Sequence, residues 1–170
     1  MAADPITAEV SMDVIQIRVP GNPVPKGRAR AFVRNGRVGH HTPEKTRVWE
    51  GVARLAASEA MQGRPPLEGP VVLWVVATFA PPPSWPQWRQ RLVAEDGVAH
   101  TTKPDLDNLV KATKDALNGI VWRDDAQVIQ IRASKVYGDT PALHVQVVSD
   151  HRIGAQQKRG AVFVPRGREC

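Results

Sequence analysis

Only one cysteine occurs in this 170-residue chain, and it is the last residue, Cys170. An intrachain disulfide and a cysteine-based zinc site are therefore both excluded. The longest apolar run, residues 71–80, is far shorter than a membrane span. The opening Met-Ala-Ala-Asp-Pro lacks the basic flank and apolar stretch of a secretory signal. These absences predict a protein of the reducing cytoplasm, with no membrane association. Aromatic residues are scarce, at 5%, and no aromatic-rich strand of the kind used by RNA-recognition modules is visible, which disfavours that class. Acids are missing where bases are dense. Residues 26–37 contain Lys26, Arg28, Arg30, Arg34 and Arg37 and no carboxylate, and the last twenty residues carry five bases against Glu169 alone.

What is present fits one ordinary domain. The chain is long enough to bury a core, and its 42% hydrophobic content is typical of a folded protein. Lys and Arg outnumber Asp and Glu by 23 to 17, for a net charge of +6, which favours a polyanionic partner.

Residues 1–12 show no period and read as a flexible leader, residues 13–149 as the folded domain, and residues 150–170 as a basic, flexible tail. Alternating apolar residues predict a first strand over 13–19, ended by Pro20-Gly21-Asn22-Pro23. Asn35-Gly36 suits a two-residue hairpin turn between 31–34 and 36–39. Thr42-Pro43-Glu44 opens a helix, with Thr42 as cap and Pro43 at the first helical position. The β-branched run 71–79 predicts a strand covered on both faces. Residues 80–101, with Trp85 and Trp88 beside Pro81, Pro82, Pro83 and Pro86, read as one long loop. An amphipathic helix follows Pro104 and stops at Asn118-Gly119, and two strands follow over 128–137 and 143–148. The expectation is an α+β fold with a small mixed or antiparallel sheet and two main helices.

The acids of this basic chain gather in one region. Asp105 and Asp107 straddle the entrance of the helix after Pro104, Lys111 lies one turn on, and Asp124-Asp125 follow the helix end. Oxygen ligands of this kind hold hard divalent cations, which activate water and stabilise the leaving oxygen in phosphodiester hydrolysis. Lys111 would offset charge developing on the phosphate. Convergence requires the chain to return along the helix, because the two ends are roughly 20 Å apart.

Each residue also has a plain structural account. Asp107 suits an N-cap, Lys111 an i,i+4 partner of Asp107 or Asp115, and Asp124-Asp125 a solvated turn. Trp85 and Trp88 either stack on bases or cover apolar surface. The combination is what points to hydrolysis.

Lys103-Pro104-Asp105-Leu106-Asp107-Asn108-Leu109-Val110-Lys111, then Asp115-Ala116-Leu117-Asn118-Gly119, then Trp122-Arg123-Asp124-Asp125-Ala126-Gln127-Val128 resemble the signature of the RusA family of Holliday junction resolvases. The N-terminal Gly-Asn-Pro-Val-Pro-Lys-Gly-Arg-Ala-Arg of residues 21–30 is similar to that family as well. The resemblance implies metal-binding catalytic carboxylates at Asp105, Asp107 and Asp125, with Asp124 as the neighbour to test in place of Asp125, and a catalytic Lys111. It implies phosphate contacts at Lys26, Arg28 and Arg30, to which Lys103 is added beside the acids. It also implies a homodimer that nicks opposed strands of four-way DNA junctions with Mg²⁺, for which Mn²⁺ substitutes. Two alternatives stay open: a less selective flap or fork nuclease, and a non-catalytic DNA-binding protein.

Overall fold

A computed structural model describes residues 13–27, 30–34, 37–94 and 98–149. The expected leader, the basic tail, the Asn35-Gly36 turn and Arg28 lie outside the described residues. The main body is a four-stranded sheet of β1 (Asp13–Pro20), β4 (Val71–Phe79), β5 (Val128–Tyr137) and β6 (Ala142–Ser149), in the spatial order β1-β6-β4-β5. β6 runs antiparallel to both β1 and β4, and β4 runs parallel to β5. A parallel pair needs a crossover, and here the crossover contains α2 (Gln87–Ala94) and α3 (Leu106–Leu117). α1 (Glu44–Met61) precedes β4, and β2 (Arg30–Arg34) pairs with β3 (Arg37–His41) as a separate hairpin.

Alternation decides the core. Ile15, Ile17 and Val19 on β1, Leu143, Val145 and Val147 on β6, and Val71, Leu73, Val75 and Ala77 on β4 are all buried. They face α1 and α3, which contribute Trp49, Ala53, Ala57 and Met61, and Leu109, Ala112, Ala116 and Leu117. α3 follows the expected 3.6-residue period and ends at Asn118, where Gly119 takes a positive φ of 77°, a conformation glycine adopts without a Cβ penalty.

Three expectations are corrected. Among the described residues β4 is covered on one face only: its other side leaves Trp74 and Val76 exposed, because both long helices pack on the same side of the sheet. The 80–101 segment contains a short helix, α2, so the described residues hold a third α-helix beside the two main ones expected. Its eight residues are rich in arginine and glutamine and carry too short an apolar stripe to announce a helix by period. α1 starts one residue later than expected, with Pro43 as its N-cap in extended geometry (ψ 138°) and no side-chain cap. The Pro43 ring is seated against Gly27, where an added Cβ would meet Pro43 Cγ at 2.8 Å.

Candidate active site at the start of α3

Asp105 is the N-cap of α3, with extended backbone (φ −70°, ψ 140°), yet its carboxylate makes no capping hydrogen bond. Asp107 stands in the first turn. Both are exposed, and among the described residues neither enters an ion pair. Two carboxylates at a helix N-terminus gain from the dipole there and from nearby unsatisfied N–H groups. The plain reading of Asp107 as a cap does not hold, since Asp105 occupies that position. Lys111 is exposed one turn on and, among the described residues, pairs with neither Asp107 nor Asp115. Lys103 is exposed just before Asp105.

The contacts of Asp125 are with Trp122 and Lys114. Among the described residues no group of three His, Cys, Asp or Glu side chains is placed to hold a metal ion. Asp125 opens a short 3₁₀ turn beyond the far end of α3. There it accepts a hydrogen bond from Trp122 Nε1 at 3.0 Å and lies 3.5 Å from Lys114 Nζ. Lys114 is seven residues after Asp107, two turns along the same helix face and a rise of about 10 Å. The chain does return toward α3, and Asp125 meets the end of the Lys114 side chain. Asp107, Lys111 and Lys114 share one face of α3 by spacing, and Asp125 is brought to Lys114.

Asp124 has a different job. Its carboxylate accepts from Ala126 N at 2.7 Å and forms a capping box with Gln127, whose side chain also donates to Leu67 O and Gly69 O. That engagement is structural, and it leaves Asp125 as the member of the pair facing α3.

The loop bearing the basic residues is fastened to the same helix. Lys26 N donates to Asn108 O at 2.9 Å, next to Asp107. The Lys26 ammonium contacts Glu50 and Asp115, each at 2.7 Å. Burial opposes its charge, but hydrogen bonds to Asp115 and Glu50 prevail and hold its pKa above the ordinary lysine value. Asp115 is thus explained by Lys26 rather than by Lys111, and Lys26 ties the loop down with a cation already matched by two acids. Arg30 begins β2.

Lys135 was not singled out by the sequence reading. It donates to Thr102 O at 2.8 Å and Pro104 O at 2.7 Å, and so fixes the backbone leading into Asp105. A signal was available: strand alternation puts Lys135 on the helix-covered side, between Ala133 and Tyr137, where an ordinary surface lysine is out of place.

His100, in the same lead-in segment, is only 8% exposed, and its Nδ1 has no hydrogen-bond partner among the described residues. It stacks on Tyr137 at 4.5 Å and meets Phe79 at 4.6 Å. Burial, assisted by the Lys135 charge, lowers its pKa below 6.5. The unfolded chain therefore binds the proton more readily, so this group favours folding above pH 6.5, an advantage lost as pH falls through the folded-state value. The melting-temperature advantage of the wild type over His100→Phe should shrink between pH 7.5 and pH 5 in scanning calorimetry. A constant difference over that range would show that His100 does not couple protonation to folding.

With this geometry established, comparison with known proteins gives two matches. The family model of endodeoxyribonuclease RusA matches residues 20–148. The uncharacterized protein YqaN of Bacillus subtilis (strain 168) is 39% identical over 140 residues, covering 80% of this chain and 96% of that protein.

Proposed function

This chain belongs to the RusA endodeoxyribonuclease family, and from that premise we propose that it resolves four-way DNA junctions by metal-assisted hydrolysis of opposed strands. The observation that carries the reading is Asp105 and Asp107 at the start of α3, without an ion pair among the described residues, beside Lys111 and the loop tethered at Asn108.

Magnesium is commonly held by one or two carboxylates, with water and substrate phosphate completing its shell. Asp105 and Asp107 are hard oxygen donors without a protein partner among the described residues, and they fit that demand. Asp125 does not complete a three-carboxylate cage from its position beside Lys114. A bound Mg²⁺, or Mn²⁺ in its place, would supply Lewis acidity toward the phosphodiester. The chain's own contribution is then positional. Asp105 and Asp107 orient the ion, Lys135 fixes the backbone before them, and Lys111 offsets charge on the phosphate. Arg28, Arg30 and Lys103 contact flanking phosphates, while Lys26 orders their loop. Asp125 is a carboxylate held by Lys114 and Trp122.

The reading is tested by incubating the protein with a four-way junction, a fork and a linear duplex of matched arms over a magnesium titration. Paired nicks in the junction, lost in EDTA and restored by Mg²⁺ or Mn²⁺, are expected. Equal cutting of forks and junctions would favour the less selective nuclease. Binding without cutting at any metal concentration would leave a DNA-binding protein.

A homodimer belongs to this proposal, because symmetrical nicking needs two sites related by a two-fold axis. What supports it is the sheet face that no described element covers. Its cross-strand rows run Val14-Val148-Val72-Gln130, Gln16-Gln146-Trp74-Arg132 and Arg18-His144-Val76-Ser134. The central strands carry Trp74, 44% exposed, with Val72, Val76 and Val148, while Arg18 and Arg132 sit on the two edge strands. No carboxylate stands among these residues. An apolar centre with an arginine rim is the composition of a subunit interface. Four strands about 4.8 Å apart and some eight residues long cover on the order of 500 Å² in plan. Side-chain relief brings that near the roughly 800 Å² per partner of a standard interface. Trp74→Glu should shift the protein to monomer in light scattering and abolish paired nicking. A Trp74→Glu protein that stays dimeric would move the interface elsewhere.

A further inference from the structure

α2 takes no part in the site described so far, yet it is firmly seated. Trp85, just ahead of it, packs edge-on against Tyr137 at 4.9 Å. Tyr137 stacks on His100, which meets Phe79. These four rings form a column at the C-terminal ends of the parallel strands β4 and β5. Arg89 lies 3.8 Å over the Trp85 ring, and Gln90 Nε2 donates to Trp85 O at 2.8 Å. Val93 is buried and completes the anchored side.

The outward side is different. Trp88 is 62% exposed, and among the described residues it has no ring contact. Arg91 and Leu92, three and four residues on, share its face of the helix. Arg91 has no ion pair among the described residues, and no carboxylate occurs between Ala80 and Ala94, Glu95 and Asp96 being the next along the chain. An indole presented to solvent beside a guanidinium that forms no ion pair among the described residues, on a helix whose other side is fixed by stacking, is suited to a flat, polyanionic partner.

Its location says which partner. The ring column that seats α2 includes His100, in the segment whose Thr102 and Pro104 carbonyls are held by Lys135 immediately before Asp105. α2 and the candidate catalytic carboxylates therefore belong to one end of the sheet and share one lead-in segment. A DNA strand reaching Asp105 and Asp107 passes a cationic, aromatic neighbour. At a strand exchange the regular base stack is interrupted, so a base there is available to an aromatic face, and base–aromatic stacking is indifferent to sequence.

We propose that α2 is a stacking platform on which Trp88 receives an unstacked base and Arg91 its phosphate, from the strand that enters the Asp105–Asp107 site. This rests on the junction-resolving reading above and adds to it a device that distinguishes branched from linear DNA.

The test uses the full chain and measures binding in EDTA, so that cleavage plays no part. Fluorescence anisotropy would compare a four-way junction, a linear duplex of the same arms and a single-stranded oligonucleotide. Trp88→Ala should weaken junction and single-strand binding by about 10- to 100-fold and change duplex affinity less than about twofold. Trp88→Phe, which keeps a stacking face, should retain most of the wild-type preference. Arg91→Gln should lower the log–log salt slope by about 0.9, as for one lost phosphate contact.

Equal losses on all three probes, or none, would overturn the platform. A change in molar mass on Trp88→Ala would overturn it in favour of a subunit or protein contact. A wild type that binds junction and duplex alike would defeat the junction reading itself, and the single-strand probe would still judge Trp88: unchanged affinity there removes the platform too.

Discussion

Asp107→Asn is expected to lower strand cleavage on the order of 10³-fold or more while leaving junction binding intact or tighter. The magnitude follows from the several kcal/mol that a bound divalent ion contributes to a phosphoryl transition state, at about 1.4 kcal/mol per tenfold in rate. Asparagine preserves shape and removes one negative charge that faces phosphate. Little folding stability should be lost, because the exposed Asp107 side chain caps nothing and, among the described residues, enters no ion pair. The measurement is single-turnover cleavage of a labelled junction, with affinity determined separately in EDTA. If binding collapsed with cleavage, Asp107 would be a structural residue and the ligand role would fall. Asp105→Asn should behave alike. Asp124→Asn should instead act on stability, since its carboxylate holds the 3₁₀ turn.

Trp122→Ala should have the largest effect on folding. The indole is completely buried, sits where the chain returns from α3 to β5, and bridges Leu67 and Asn118 through its backbone. Large-to-small replacement of a buried tryptophan costs about 3–5 kcal/mol, which lowers the melting temperature of a domain this size by roughly 10 °C or more. Trp122→Phe separates the two roles of the side chain. It keeps most of the buried ring and deletes the 3.0 Å hydrogen bond to Asp125, a loss of about 1 kcal/mol. A cleavage defect in Trp122→Phe well beyond its stability loss would mean that the placement of Asp125 matters to the reaction. Cleavage that follows stability alone would assign the Trp122–Asp125 bond to architecture.

Much of the frame was legible because its signals are local. The alternation of Ile15, Ile17 and Val19, the 3.6-residue spacing of Leu109, Ala112, Ala116 and Leu117, and Gly119 at the end of α3 depend on neighbours a few residues away. The approach of Asp105 and Asp107 to the same helix start was legible for the same reason, since two residues of separation leave little freedom. α2 escaped notice because its inward anchor is a ring column built from Phe79, His100 and Tyr137, residues from other parts of the chain. No period within eight residues can announce that.

Sequence by itself determined the alternating faces of the strands, the helix bearing Asp105, Asp107 and Lys111, and a signature specific enough to name the family. Tertiary structure alone decided that Lys26 is matched by Glu50 and Asp115, that Lys135 braces the approach to Asp105, and that one sheet face is left open. It also decided that Asp125 is held by Lys114 and Trp122. The reason is physical. Local spacing fixes which side a residue faces, whereas the distance between two remote side chains depends on where the intervening elements dock, and here the burial of Trp122 sets where the returning chain comes to rest.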